Sequence, residues 1–294
     1  MNEPIFKLKI SNLETADEVI QYQATDALEH GKVVYCPELA FAVQPDETIL
    51  LNEAILARGH KNVSYDINKQ KISGIDAVEL QDKVVAFMQR FSSFSHTLIE
   101  KLFPSYQDHI RWGRTSYRPA EIDGRITSKR KDDTRVHVDA FPSTPVQGAR
   151  ILRVFCNINP YKEPRVWHIG QPFPEVLDVF SKHLPPYNAL KAHGLKFLNI
   201  TKSYRTAYDH YMLHLHDSMK LNDDYQKRVV KYRMDFPAHS TWIVLTDQVS
   251  HAALKGQFLL EQTFYLPVDA MQNPQLSPLK QWESRLSWCN MANC

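Results

Sequence analysis

The chain has 294 residues, 43% of them apolar and 11% aromatic, which is enough to bury a sizeable core and too hydrophobic for a disordered segment. A formal net charge of +2 gives no long-range pull on nucleic acid, so a nucleic-acid partner is not expected. With 9 glycines and neither GxGxxG nor GxxxxGKS, the chain also lacks the loops that cradle nucleotide phosphates.

In chain order, the start MNEPIFKLKISNLETADE has no long apolar core and does not read as a signal peptide. Residues 14–30 read as a helix with Thr15 or Asp17 as cap and Gly31 as stop. Residues 32–43 are strand-like, and 47–57 have helical character. The longest helical pattern is 75–103, where Val84, Phe87, Met88, Phe91, Phe94, Leu98 and Leu102 recur at three- and four-residue steps and Pro104 ends the run. Residues 111–135 are locally basic, either a solvated loop or a wall for an anion. From 133 the pattern turns to short strands, TRVHVDAFP and RILRVFCNINP, then helices over 173–193 and 202–220. Strands follow over 229–237, 241–247, 249–254 and 257–267.

Short strands with tight turns predict a barrel or sandwich, here an α+β chain with a double-stranded β-helix (jelly-roll) core flanked by helices. No linker composition interrupts it. Residues 1–294 therefore read as one domain, with a mainly helical part over 1–110 packed on the β core. Cys36, Cys156, Cys289 and Cys294 have no CxxC spacing and read as reduced thiols of a cytoplasmic protein. No run of eighteen apolar residues predicts a membrane span, while contact with a membrane surface and a homo-oligomer both stay open.

His137-Val138-Asp139 is the sequence's one His-x-Asp. On a strand, residues i and i+2 share a face, so both side chains project into one space. An inward acid needs a partner, because burying it unpaired is costly, and a divalent metal is such a partner. A facial triad of two histidines and one carboxylate needs a distal histidine and leaves positions open for cosubstrate and oxygen. His251, in VSHAAL between two apolar runs, suits it; the plainer alternative is a core histidine. His210, His214 and His216 lack an HExxH pattern and compete poorly, while His96, His109, His168, His183, His193 and His239 read as surface or local hydrogen bonders.

Oxygenases with this triad commonly take 2-oxoglutarate, whose far carboxylate needs a buried cation. The segment after His251, FLLEQTFYL, offers Gln262 and no Arg or Lys. Arg153 stands instead inside the apolar run RILRVFCNI, where an arginine wants an anion. The alternatives are a nearby carboxylate partner or snorkelling to the surface. Arg118 in TSYRP and Arg165 in EPRVW are further candidates, each read as lying in a loop.

The segments GRTSYRP (113–119), RKDDTRVHVDAFPS (130–143), GARILRVFCNINP (148–160), EPRVWHIG (163–170) and SHAALKGQFLLEQTFYLP (250–267) together resemble the Kdo hydroxylases. These are bacterial Fe(II)/2-oxoglutarate-dependent oxygenases that hydroxylate carbon 3 of the Kdo sugar of lipopolysaccharide. The resemblance implies His137, Asp139 and His251 as iron ligands, and contacts from Arg118, Arg153 and Arg165 to 2-oxoglutarate or the acidic sugar. It further implies consumption of O2, succinate and CO2 as products, and Kdo-lipid A at the inner face of the inner membrane as the partner. The competing readings are a same-triad oxygenase for another acidic substrate, a non-catalytic glycolipid-binding β-barrel, and a zinc hydrolase, for which no general base is evident.

Overall fold

The computed structural model describes residues 3–286, so Cys289 and Cys294 lie outside the described residues. The first half of the chain supplies β1 (Ile5–Lys7), α1 (Glu18–Glu29), β2 (Val33–Cys36), β3 (Val63–Asp66), β4 (Lys71–Ser73), α2 (Gln81–Leu102) and β5 (Arg111–Arg118). The second half begins with β6 (Arg150–Asn157), β7 (Arg165–Ile169) and the helices α3 (Phe173–Phe180), α4 (Ala189–Phe197), α5 (Ala207–Leu221) and α6 (Asp223–Arg228). It ends with β8 (Tyr232–Phe236), β9 (Ser240–Leu245), β10 (His251–Lys255), β11 (Leu259–Leu266) and α7 (Pro278–Arg285).

The strands form two sheets. The larger runs in the order β1-β2-β9-β6-β11-β5-β3-β4, and the smaller in the order β10-β7-β8. Among the described residues only the β1–β2 pair is parallel. Alternation decides which side chains face which layer. Val33, Tyr35, Trp242, Val244, Phe155 and Leu259 point from the large sheet toward the small one, where they meet Trp167, Ile169 and Phe236. The intervening residues Val34, Cys36, Ile243, Leu245, Val154 and Phe264 point the other way, onto Ala24 and Leu28 of α1 and Leu98, Ile99 and Leu102 of α2. This is the α+β jelly-roll predicted from the strand spacing, with helices buttressing one side.

The N-terminal part carries α1 and α2 but also four strands that extend the large sheet, so it is woven into the β core as well as packed on it. Asp17 caps α1, accepting from Ile20 N–H at 2.9 Å, and Gly31 at φ +77° leads out of it, as its sequence predicts. α2 buries Val84, Phe87, Met88, Phe91, Leu98 and Leu102, six of the seven apolar positions picked out by their spacing; Phe94 is only partly buried. Three expectations need correcting. Residues 47–57 form two short 3-10 turns, because Pro45 and the Asn52 cap divide the segment. The 173–193 run is broken at Pro185 and Pro186 into α3 and α4. The basic stretch 111–135 begins as β5, a strand between β11 and β3.

Candidate metal centre

Residues 136–139 run extended beside the turn between β9 and β10. His137 N–H donates to His251 C=O at 2.9 Å, His251 N–H donates back at 2.8 Å, and Asp139 N–H donates to Thr246 C=O at 2.8 Å. TRVHVDAFP is therefore a one-bridge extended segment and not a full strand, yet the i, i+2 parity holds. The turn it leans on is anchored by a fully buried ion pair, Arg150 Nε to Asp247 Oδ2 at 2.7 Å, with Gln248 Oε1 accepting from the same guanidinium at 2.6 Å.

His137, Asp139 and His251 converge, each offering a ligand atom, all within 4.8 Å of one another. The imidazoles are oriented by the main chain. His137 Nδ1 lies 2.7 Å from Arg135 C=O, and His251 Nδ1 lies 2.8 Å from Val249 C=O. A carbonyl can only accept, so each Nδ1 carries the proton and each Nε2 lone pair is free. Trp167 stacks on His251 with ring centroids 5.0 Å apart, and His216 meets His137 edge-on at 5.3 Å. Burial pushes His137 down to about 4, and His251 below its usual range, so both rings are neutral at physiological pH. Burial alone would raise Asp139, but Arg153 and the adjacent His137 outweigh it and hold the carboxyl well below the carboxylate range.

The surrounding cavity, about 140 Å³, is lined by Arg118, Arg153 and Arg165 against Asp133, Asp139 and Glu261. Arg118 and Arg165 stand on strands, at the end of β5 and the start of β7, and not in loops as their flanking prolines suggest. Arg153 Nη1 lies 3.2 Å from Asp139 Oδ2 and 3.3 Å from Glu261 Oε1, and Arg118 Nη2 lies 2.8 Å from Glu261 Oε2. The Arg153–Asp139 contact is an ion pair without hydrogen-bond geometry, since Asp139 Oδ2 and Arg153 Nε are both buried without a hydrogen-bond partner. Arg165 differs. Its Nη1 donates to Gly256 C=O at 2.7 Å, its Nε is buried and unpartnered, and it has no carboxylate in ion-pair reach among the described residues. Burial, then the neighbouring Arg118, pull its pKa down to about 9.

Glu261 was missed in the sequence, and the alternation of LLEQTFYL explains both it and Gln262. Glu261 pairs across the sheet with Phe155 and Ser116 and shares their cavity-facing side. Gln262 points to the helix side, where its Oε1 accepts from Thr115 Oγ1 at 2.6 Å. Trp167 and His216 were also missed; the first is an aromatic next to a cavity arginine, and the second lies in a helical histidine cluster with no visible link to residue 137.

The residues fit a divalent cation and a dianion. Two neutral imidazoles and an ionised carboxylate on one side of an ion suit a six-coordinate metal with open positions. Arginine and carboxylate charges balance in the cavity, so a +2 ion leaves room for two negative charges, and buried guanidinium N–H groups await acceptors. A jelly-roll carrying this donor set has the architecture of the non-haem iron oxygenases. The family described as 3-deoxy-D-manno-oct-2-ulosonic acid (Kdo) hydroxylase matches residues 12–287. The chain is similar to solved structures of the Kdo hydroxylase KdoO, a non-haem Fe(II) alpha-ketoglutarate-dependent dioxygenase. To its cobalt(II) complex it is 45% identical, covering 98% of each chain with a TM-score of 0.94. To its complex with alpha-ketoglutarate and Fe(III) it is 44% identical over 97% of this chain and 96% of that one, with a TM-score of 0.93. To its complex with succinate and Fe(III) the identity is again 44% over the same shares, with a TM-score of 0.92. No curated protein matches the chain. The chain belongs to the Kdo hydroxylase family.

Proposed function

We propose that this chain hydroxylates carbon 3 of Kdo in Kdo-lipid A, giving the sugar Ko, from the cytoplasmic side of the inner membrane and as a single oxygenase domain. The observation that carries the reading is one cavity in which three metal donors lie beside three buried arginines, in a chain of this family. His137 Nε2, the Asp139 carboxylate and His251 Nε2 would hold Fe(II). When bound, Fe(II) with 2-oxoglutarate supplies the oxidation, in which one atom of O2 enters the C–H bond of the sugar and the other enters succinate as CO2 leaves.

The protein's own part is orientation and charge. Arg135 and Val249 carbonyls keep the imidazole lone pairs aimed at the ion. Arg153, tied to Asp139, positions that carboxylate and flanks an anion beside the ion. Arg165, the cation without a carboxylate, receives the far carboxylate of the cosubstrate, and Arg118 with Glu261 forms the wall nearest the acidic sugar. Trp167, Phe155 and Leu259 supply the apolar part of the cavity lining and exclude water from it. The test is a mass spectrum of Kdo-lipid A from cells expressing this chain beside cells expressing His137→Ala. A species one oxygen atom heavier is expected only with the intact chain. The same species with His137→Ala would overturn the metal assignment; its absence from both, with soluble iron-loaded protein, would overturn the substrate.

A further inference from the structure

α4 is a helix capped at both ends that buries almost nothing. Asn188 accepts from Lys191 N–H at 2.9 Å at its start. At its end Asn199 takes φ +53°, its N–H donates to Lys196 C=O at 3.1 Å, and Ile200 N–H donates to Leu195 C=O at 3.0 Å, which is a Schellman closure. Yet Ala192 is its one buried residue. Leu190 is 84% exposed and Phe197 85%, seven positions and so about two turns apart on one face, and Leu198 and Ile200 follow at 65% and 55%. A fully capped helix that, with the turn closing it, holds four large apolar side chains in water presents them to something.

Charge says what. Lys191 and Lys196 are exposed on the same segment. Lys202, just beyond it, lines a second cavity of about 310 Å³ with Lys69, Lys71, Arg114 and, as its one acid, Asp66. Burial, Arg114 and Lys69 depress the Lys202 pKa and Asp66 restores only part of it, as expected where four cations share one acid. The segment is also joined to the metal centre. Lys202 N–H donates to Ser143 C=O at 2.9 Å and Ser203 Oγ to Pro145 C=O at 3.2 Å, on the loop that follows Asp139. Arg114 shares the cavity-facing side of β5 with Arg118, so the two cavities lie along one sheet face.

We propose that residues 189–202 are a membrane foot. Leu190, Phe197, Leu198 and Ile200 enter the interface of an anionic bilayer, while Lys196, Lys202 and Arg114 meet headgroup phosphates and set the metal cavity over a lipid-borne sugar. The purpose of the foot rests on the proposed Kdo-lipid A substrate; its existence does not. The experiment is co-sedimentation of the iron-loaded full chain with vesicles of phosphatidylcholine containing phosphatidylglycerol, beside phosphatidylcholine alone. Binding to the anionic vesicles is expected, weaker at high salt. Leu190→Glu/Phe197→Glu should lower it by roughly tenfold or more. Lys196→Glu/Lys202→Glu should lower it by roughly tenfold at low salt and less at high salt. Both pairs are exposed, and the one hydrogen bond lost is the exposed one from Lys196 Nζ to Lys202 C=O, so the melting temperature should change little and turnover of a water-soluble deacylated Kdo glycoside not at all. No vesicle binding by the parent chain, or equal binding by Leu190→Glu/Phe197→Glu, overturns the foot. So does a dimer in light scattering that this variant splits, which would assign the face to a second copy. Vesicle binding as expected without turnover of any Kdo glycoside leaves the foot standing and removes the hydroxylase reading.

Discussion

Arg165 and Arg153 are both buried cations, but they stand in opposite electrostatic situations. Arg153 is paired with Asp139 and Glu261; Arg165 has only a carbonyl. Removing one partner of a buried pair leaves the other charge uncompensated, whereas removing an uncompensated charge relieves a cost. Arg165→Gln is therefore expected to keep or slightly raise the melting temperature while raising the KM for 2-oxoglutarate roughly 10- to 100-fold, the worth of a charge-assisted hydrogen bond. Arg153→Gln is expected to lower the melting temperature and weaken iron binding together. Steady-state kinetics and thermal melts on the two variants check this. An unchanged KM in Arg165→Gln would move the anchor to Arg118 or Arg153.

At the scale of elements, the turn from β10 to β11 does two jobs. Gly256, at φ +114°, lets the chain reverse, and its carbonyl is the one bond holding Arg165 Nη1. A Cβ there would lie 2.9 Å from Pro164 C=O and 3.1 Å from the Arg165 side chain. Gly256→Ala is expected to cost about 1–3 kcal/mol of stability and to raise the KM for 2-oxoglutarate in parallel with Arg165→Gln. Loss of stability with an intact KM would show that the turn does not position the arginine. Much of this architecture was legible in the sequence. The α2 stripe, the strands after 229, and the His137–Asp139–His251 set follow from periodicity and parity. What was not legible has physical causes. β5 reads as a loop because Arg111, Arg114 and Arg118, with Gly113 between them, mask its alternation. Glu261 hides because one acid in an apolar strand says nothing of which face it takes until the partners Phe155 and Ser116 are known. The short strands β1, β3 and β4 hold three or four residues each, too few for a period to register.

Over the whole molecule, the candidate ligands and cations come from both layers. The small sheet brings His251, Arg165 and Trp167; the large sheet brings Arg118, Arg153 and Glu261; and the 136–139 segment lies against the turn that joins β9 to β10. An ion held by His137, Asp139 and His251 would tie the 136–139 segment to β10, and a ligand that binds only the folded state raises stability in proportion to the logarithm of its concentration. At Co(II) or Fe(II) about 100-fold above Kd, about 2.7 kcal/mol of stabilisation is expected. That is a rise in melting temperature of roughly 5 °C for a chain of this size. The rise should be reversed by a chelator and absent in Asp139→Ala. A melting temperature indifferent to metal would argue against a metal site joining the 136–139 segment to β10.

The carbonyls that fix the two imidazoles belong to residues 135 and 249, each two positions upstream of the histidine it holds. Each histidine thus brings its own tautomer lock in a three-residue packet of backbone. No distant side chain has to be inherited along with it. The remainder of the sequence can drift, and the pocket can be refitted to another acidic sugar, while the aim of both nitrogen lone pairs stays where the main chain sets it.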